Sequence, residues 1–396
     1  MRIAIVSDYF PDFVGGAQTS MREQRLALQA AGHHVVMVSA VRGGPGGRYR
    51  RTDDGLQVKP SFTLPGVQLP VIPNNPRTTK VLEEFLREHK IDVVHVQTEF
   101  GLAHAAATVA ARMGIPVVHT VHTFYWASDG GWHAPLEPLI RGLLRRVIRW
   151  EIPRQPFTPR PVDNLLRNLT LSMAKRADVV VSPSAHQAKD LQSAGVAGPV
   201  RVVPNPVTTS PAPSRPLGEV AEPRFLWVAR CDTVKRPLEF AQGALDALER
   251  TGGGFSVDFV GDGTELPALK RLVGDRPEVR VHGALPHDRV LELMDESSAV
   301  VLSSLGFDNQ PMTIAEAVSR DRGVLYADPK LKEGLQGAGY LAHSADPAGF
   351  ADALVKLTKD PSILVRMSKN AATDAAEFSA QTYVSRILIA YVAAKR

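Results

Sequence analysis

The chain of 396 residues has one cysteine, Cys231. No intrachain disulfide and no cysteine-cluster metal site can form, which fits a reducing compartment and leaves Cys231 the expected role of a small buried filler. No stretch approaches the roughly 20 uninterrupted apolar residues that a membrane-spanning helix needs. The opening residues MRIAIVSD read as a strand without a signal-peptide cleavage pattern, so a cytoplasmic protein is expected. Short repeats and low-complexity tracts are absent. No Asp-x-Asp signature stands in a metal-binding position, so neither a metal nor another cofactor is expected. Charge imbalance is small overall, +5, but it is concentrated. Between Leu136 and Arg160, six arginines (141, 145, 146, 149, 154 and 160) face Glu137 and Glu151, leaving about +4 in one short segment.

What is present is an alternation of apolar runs with helical patterns, the mark of an α/β protein with helix-covered parallel sheets. The first half gives RIAIVSD, HVVMVSA, DVVHVQT, PVVHTVH and DVVVSPS, closed by GPVRVVPN; the second begins again with RFLWVAR, FSVDFVGDG, VRVHGAL, AVVLSS and GVLYAD. The restart implies two sheets, and a length beyond what one core supports agrees. The Pro- and Ser-rich stretch NPVTTSPAPSRPLGEVAEP reads as a linker. The reading is thus a Rossmann-like domain over residues 1–207, a second over 208–379, and a helix at about 380–396 that crosses back onto the first. Two such domains facing a central cleft would place functional residues just after strands.

Four segments carry candidate chemistry. Gly15 and Gly16 precede a helical pattern from Ala17 to Ala31; either they direct amides at an anion or they serve a turn needing positive φ. Arg230 and Lys235 share a loop after RFLWVAR, where a diphosphate would satisfy a guanidinium fork and an ammonium, although such residues are often merely solvated. Gly261 and Gly263 occupy the turn after the next strand. In LSSLGFDNQPMTIAEAV, Pro311 suits the first turn of a helix running to about Arg320. Glu316 lies within its apolar stretch and needs a partner, either an internal cation or the two hydroxyls of a ribose. Asp308 precedes it by eight residues and either meets a sugar hydroxyl or caps amides. His122 ends PVVHTVH, three residues after His119, and opens the aromatic loop HTFYWASDG; it is either structural or part of a site where rings stack on sugars or lipids.

With these residues in view, the chain resembles family-4 glycosyltransferases over nearly its whole length. The landmarks are the GGAQ loop, HTVHT, VVPNPV, VAR-CDTV-K, VGDG and DNQPMTIAE, in the family's order. The resemblance implies the GT-B architecture and retention of anomeric configuration. It also implies a UDP- or GDP-sugar donor whose diphosphate is held by Arg230 and Lys235 and whose ribose is held by Glu316. The glycine loop at Gly15 and Gly16 would help with phosphate, the DNQPMT segment (Asn309, Gln310, Pro311, Met312 and Thr313) and the Gly261–Gly263 turn would line the donor, and His122 would lie beside the reacting sugar. Asp308 stands where the family has glutamate, which weakens the inference of sugar identity.

QTEF, HTVHTFYW and the NQPMT spacing are similar to the branch acting on diacylglycerol and phospholipids, which points to a lipid acceptor. Leu136, Leu139, Ile140, Leu143, Leu144, Val147 and Ile148 repeat at helical spacing, with Arg141, Arg145 and Arg149 on another face. Such a helix, about 136–150, either lies on an anionic membrane at the inner face of the plasma membrane or docks on the core with solvated arginines. Nucleic acid is not an expected partner. A transferase acting on a soluble or polysaccharide acceptor, a sugar-nucleotide epimerase or retaining phosphorylase, and a non-catalytic partner subunit that binds nucleotide or membrane are the rival readings.

Overall fold

The computed structural model describes residues 1–12, 15–43, 47–64, 69–126, 135–208 and 215–395. It divides into two compact units, Met1–Thr208 with Ala380–Arg396, and Thr209–Ser379.

Unit 1 opens with β1 (Arg2–Ser7), α1 (Gly16–Ala30) and β2 (His34–Ala40). A hairpin of β3 (Tyr49–Thr52) and β4 (Gly55–Val58) follows, then β5 (Phe62–Leu64) and β6 (Leu69–Val71). The series continues through α2 (Pro76–Glu88), β7 (Val93–Val96), α3 (Gly101–Met113), β8 (Val117–Thr120), α4 (Glu137–Ile148), α5 (Pro161–Ala174), β9 (Val179–Ser182), α6 (Ala185–Ser193) and β10 (Val200–Val202). Among the described residues the main sheet runs β10-β9-β8-β7-β1-β2-β4-β3, parallel except for the β3–β4 pair. Its central strands β7, β8 and β9 are valine-rich and buried on both faces, which is what helices on either side of a parallel sheet demand.

Unit 2 repeats the plan: β11 (Arg224–Val228), α7 (Pro237–Thr251), β12 (Ser256–Val260), α8 (Leu266–Val273), β13 (Val279–Gly283), α9 (His287–Glu296), β14 (Ala299–Leu302), α10 (Met312–Val318), β15 (Gly323–Tyr326), β16 (Gly339–Leu341), α11 (Pro347–Lys359) and α12 (Ser362–Ala375). The sheet is ordered β13-β12-β11-β14-β15-β16 and is parallel throughout. Phe225, Trp227, Phe240, Phe259 and Phe350 fill its core, and Cys231 is buried beside them. Burial, with Asp232 nearby, pushes the Cys231 thiol up to about 11, so it stays protonated and inert.

The last helix, α13 (Ala380–Ala394), belongs to unit 1, where Tyr383, Ile387, Ala390 and Tyr391 pack with Ile3, Ile5, Leu28 and Val93. In each unit the strand order reverses beside the first strand, between β1 and β7 and between β11 and β14. Adjacent loops diverge there and leave room for ligands at the strands' carboxyl ends.

Candidate functional site

In unit 2 the reversal point gathers most of the donor-side candidates. β11 delivers Arg230, whose exposed guanidinium lies 2.8 Å from Asp232. Lys235 ends a short 3-10 turn, Thr233–Lys235, that precedes α7. Its Nζ sits 2.5 Å from Asp308 Oδ1, and Asp308 also accepts from the Ser304 hydroxyl. Both members of this pair are largely buried, at 15% and 10% exposure. Among the described residues Asp308 thus answers the ammonium and the Ser304 hydroxyl and not a helix's amides, since a near-buried cation requires a counter-charge. The backbone of the lysine loop is fixed separately. Trp227 Nε1 donates to Ser303 Oγ at 2.7 Å, and Ser303 Oγ donates to the Lys235 carbonyl at 2.7 Å.

The two glycines after β12 have positive φ, +146° at Gly261 and +159° at Gly263. A Cβ on Gly261 would overlap the Ala229 carbonyl oxygen, and one on Gly263 would lie 2.5 Å from Cys231 O and Asp232 Oδ1. Their lack of a side chain thus lets the β12 loop close on the arginine-bearing loop. Asn309, Gln310 and Met312 are buried, Thr313 is half-buried, and Pro311 stands just before α10 at φ −64°. That helix ends at Val318, short of the expected Arg320, whose side chain pairs with Asp295 on α9. Glu316, 13% exposed, has His287 Nε2 at 3.8 Å, so an internal partner for it does exist. His287 opens α9 four residues after β13 and was not among the sequence candidates.

In unit 1, Gly15 has φ −168°, ordinary extended backbone, and Gly16 is the first residue of α1 with nothing within 4 Å of a Cβ built on it. Neither glycine therefore supplies a positive φ, contrary to that expectation. His122 is held from behind. Its Nε2 lies 2.6 Å from Gln97 Oε1; the Gln97 amide donates to Gln24 Oε1 at 3.0 Å, and the Gln24 amide to Ser20 Oγ at 2.9 Å and Asn205 Oδ1 at 3.2 Å. Since Gln97 commits its NH2 to Gln24, only its oxygen faces the ring, so His122 carries its proton on Nε2. Burial pushes the imidazole down to about 4, so it is neutral at pH 7. His119 is fully buried, and neither ring nitrogen has a hydrogen-bond partner among the described residues.

Phe124 and Tyr125 do not offer rings to a ligand. They are buried with Phe157, and the Tyr125 hydroxyl donates to Asp190 at 2.7 Å. Ala127–Gly130 of the same loop lie outside the described residues.

Two buried carboxyls stand at the unit 1 reversal point. Asp8 accepts from the amides of Leu102 and Ala103 at 2.7 and 3.1 Å, capping α3, whose own N-cap Phe100 has no side chain able to do so. Burial nevertheless raises it to about 6. Burial, with a contribution from Asp8, raises Glu99 to about 8, and Thr170 Oγ1 donates to it at 3.1 Å. A carboxyl whose folded pKa exceeds its unfolded value contributes stability that is complete below the unfolded pKa, here about 4.5, and is lost as pH rises through about 8. Glu99→Gln should therefore match the native protein near pH 5 and exceed it by at least ~2 kcal/mol at pH 8.5. Denaturant unfolding at the two pH values checks this, and equal curves at both would rule out the neutral acid.

α4 does not follow the single-face reading. Ile140, Leu144, Val147 and Ile148 face the core cluster that holds Phe100, Leu165 and Leu169. Leu136, Leu139 and Leu143 are exposed by 41%, 73% and 47%. Arg141 is buried in a 2.7 Å pair with Glu137 and donates to the carbonyls of Ile152 and Pro153, so it belongs to the scaffold and not to a basic face. Among the described residues no helix is long and apolar enough to cross a membrane.

Residues 14–211 match the family described as Glycosyltransferase Family 4, and residues 222–360 match Glycosyl transferases group 1. Over 97% of this chain and 94% of the other, 20% of residues are identical to the alpha-monoglucosyldiacylglycerol synthase of Acholeplasma laidlawii. The glycogen synthase of Mycobacterium tuberculosis is 24% identical over 100% of this chain and 95% of its own. Anabaena HepE, solved in complex with UDP, superposes with a TM-score of 0.66 at 16% identity, covering 98% of this chain and 99% of that one. This likeness shows the fold, the GT-B architecture of two parallel-sheet α/β units.

Proposed function

The chain belongs to glycosyltransferase family 4, and from that premise we propose that it is a retaining, metal-independent transferase moving a hexose from a UDP- or GDP-sugar to a membrane lipid. Unit 2 takes the donor. The observation that carries this assignment is the near-buried Lys235 ammonium at the strand-order reversal, on the loop that also carries the exposed Arg230 guanidinium and held by a single carboxylate, Asp308. A diphosphate brings more charge than Asp308 and supplies acceptors to Arg230 as well. Glu316 takes the ribose hydroxyls. As the sugar–phosphate bond breaks, charge grows on the leaving phosphate, where Arg230 and Lys235 stabilise it without a divalent ion. The leaving phosphate oxygen accepts the acceptor's proton on the same face, which preserves configuration. In unit 1, neutral His122, with its proton held on Nε2 by Gln97, keeps Nδ1 as an acceptor for a hydroxyl.

A lipid acceptor is favoured by the exposed leucines of α4, which a helix docked only on its own core has no reason to carry. On this reading the protein works in the cytoplasm, peripherally bound to the inner face of the membrane. The decisive experiment is a thermal-shift screen against UDP- and GDP-sugars followed by product analysis with extracted lipids. A stabilising nucleotide sugar, an α-linked lipid product and insensitivity to EDTA are expected; donor turnover without any acceptor would discard the transferase reading.

Gln97 is assigned as a positioning residue for His122. Gln97→Leu leaves a buried N–H without its acceptor and should lower kcat roughly tenfold. Gln97→Glu places a carboxylate 2.6 Å from the ring in the native geometry and should lift the His122 pKa from about 4, introducing a new limb in the pH–rate profile. Profiles that superpose would reduce Gln97 to packing.

A further inference from the structure

A cavity of about 900 Å³ opens in unit 1 at the carboxyl end of α4, remote in sequence from every donor-side residue. Arg145, Arg146, Arg149 and Lys175 line it, with Trp150 and Glu151. These four cations differ from the neighbouring Arg141. Arg141 is consumed by Glu137, whereas none of the four has a carboxylate within 4.0 Å among the described residues, Glu151 included. The chain also accepts a strained backbone to place one of them. Arg149 ends α4 in the left-handed region at φ +52°, a position where glycine would cap the helix at no steric cost. The following Trp150 is 47% exposed, with the Arg176 guanidinium 4.4 Å over its ring. Arg176 is itself anchored to the His104 carbonyl and Thr108, so the indole rests on a fixed platform beside the opening.

Cations without counter-charges around one concavity suit an anion carrying more than one acceptor oxygen, and arginine forks suit phosphate above all. The half-exposed Trp150 and the leucines outward on the same helix, Leu139 and Leu143, supply what a soluble anion would not use. Indole and leucine together with arginine mark the level of a bilayer at which headgroup meets acyl chain. We propose that this cavity receives the phosphate headgroup of an anionic phospholipid while α4 lies in the membrane surface, a second phosphate site separate from the one assigned to the sugar donor. The proposal rests on the membrane reading given above and adds headgroup selectivity to it: the leucines provide attachment to any bilayer, and the arginines choose lipid bearing net negative phosphate.

Flotation of the full chain with vesicles tests this, using phosphatidylcholine alone and phosphatidylcholine mixed with phosphatidylglycerol. The native protein should partition more strongly onto the mixed vesicles, and added salt should weaken the preference. Arg145→Gln, Arg146→Gln and Arg149→Gln combined should abolish it, a loss of about a hundredfold in partition, with the melting temperature retained. Leu139→Gln with Leu143→Gln should reduce binding to both vesicle types equally. If the arginine variant keeps the native preference, the headgroup site is overturned while the leucine result decides the membrane reading by itself. If inositol hexakisphosphate binds the native protein through these arginines while neither vesicle does, the cavity is a site for soluble polyanions and the lipid assignment fails.

Discussion

Lys235→Ala is expected to lower the rate of sugar transfer by about a thousandfold at saturating donor, the scale for removing a principal charge-stabilising donor from a transition state. Two effects combine in that figure. The variant loses the ammonium that meets developing phosphate charge, and it also strands the Asp308 carboxylate, 10% exposed and left with the Ser304 hydroxyl, beside the incoming diphosphate. The second effect can be removed separately. Adding Asp308→Asn to Lys235→Ala should recover part of the loss, although Asp308→Asn alone frees the lysine from its anchor and should impair transfer, so the two changes will not add. Glu316→Ala should also abolish useful transfer, through the donor's KM as much as through kcat, with the native melting temperature kept, whereas Lys235→Ala should melt at a lower temperature that the added Asp308→Asn restores in part. Full activity in Lys235→Ala and Glu316→Ala alike would remove the assigned donor site.

The second large effect falls on folding. Gly261→Ala should destabilise unit 2 by more than ~3 kcal/mol, because the added Cβ meets the backbone carbonyl of Ala229, which cannot step aside as a flexible side chain would, and because φ +146° is foreign to L-residues. A lowered melting temperature or loss of soluble protein checks it, and a native-like unfolding curve would mean that the two loops are not so closely apposed. Gly16→Ala provides the contrast. Nothing lies within 4 Å of the new Cβ and the position is helical, so α1 should gain roughly 0.5–1 kcal/mol. Any loss of transfer in that variant would then report on ligand contact rather than on folding.

Most of the sheet strands legible in the sequence were buried on both faces, since a run such as DVVHV or AVVL needs no context to be recognised, although β10 and β13 were read despite the exposed Arg201 and Arg280. β3, with Arg50 and Arg51 both exposed, and the three-residue β5, β6 and β16 carry no such run. The seven apolar residues of α4 read as one face, yet they divide between a core side and a solvent side, because periodicity reports where leucines stand and not what packs against them. Strand ends pointed to Lys235 and His122 as candidates. Their partners stayed hidden: Gln97 is 25 residues from His122, and Gln24 is 73 residues from Gln97 and 181 from Asn205, pairings that only the folded topology brings about. Cys231, Asp308 and Glu316 show the same limit, since the sequence raised the need for burial or a counter-charge but did not name Ser304 or His287.

The return of α13 to unit 1 bears on how the chain is made. Ile3, Ile5 and Val93 emerge early from the ribosome, yet Tyr383, Ile387 and Tyr391, which complete their layer, are translated only after all of unit 2. His95 likewise waits for the Tyr391 hydroxyl, 296 residues downstream and 2.8 Å away in the finished fold. Unit 2 contains its whole core in one continuous stretch and can mature first, whereas the earlier-born unit must keep an apolar face shielded until α13 has been translated. A stop codon placed at residue 380 would accordingly damage the half of the protein that lies farthest from it along the message.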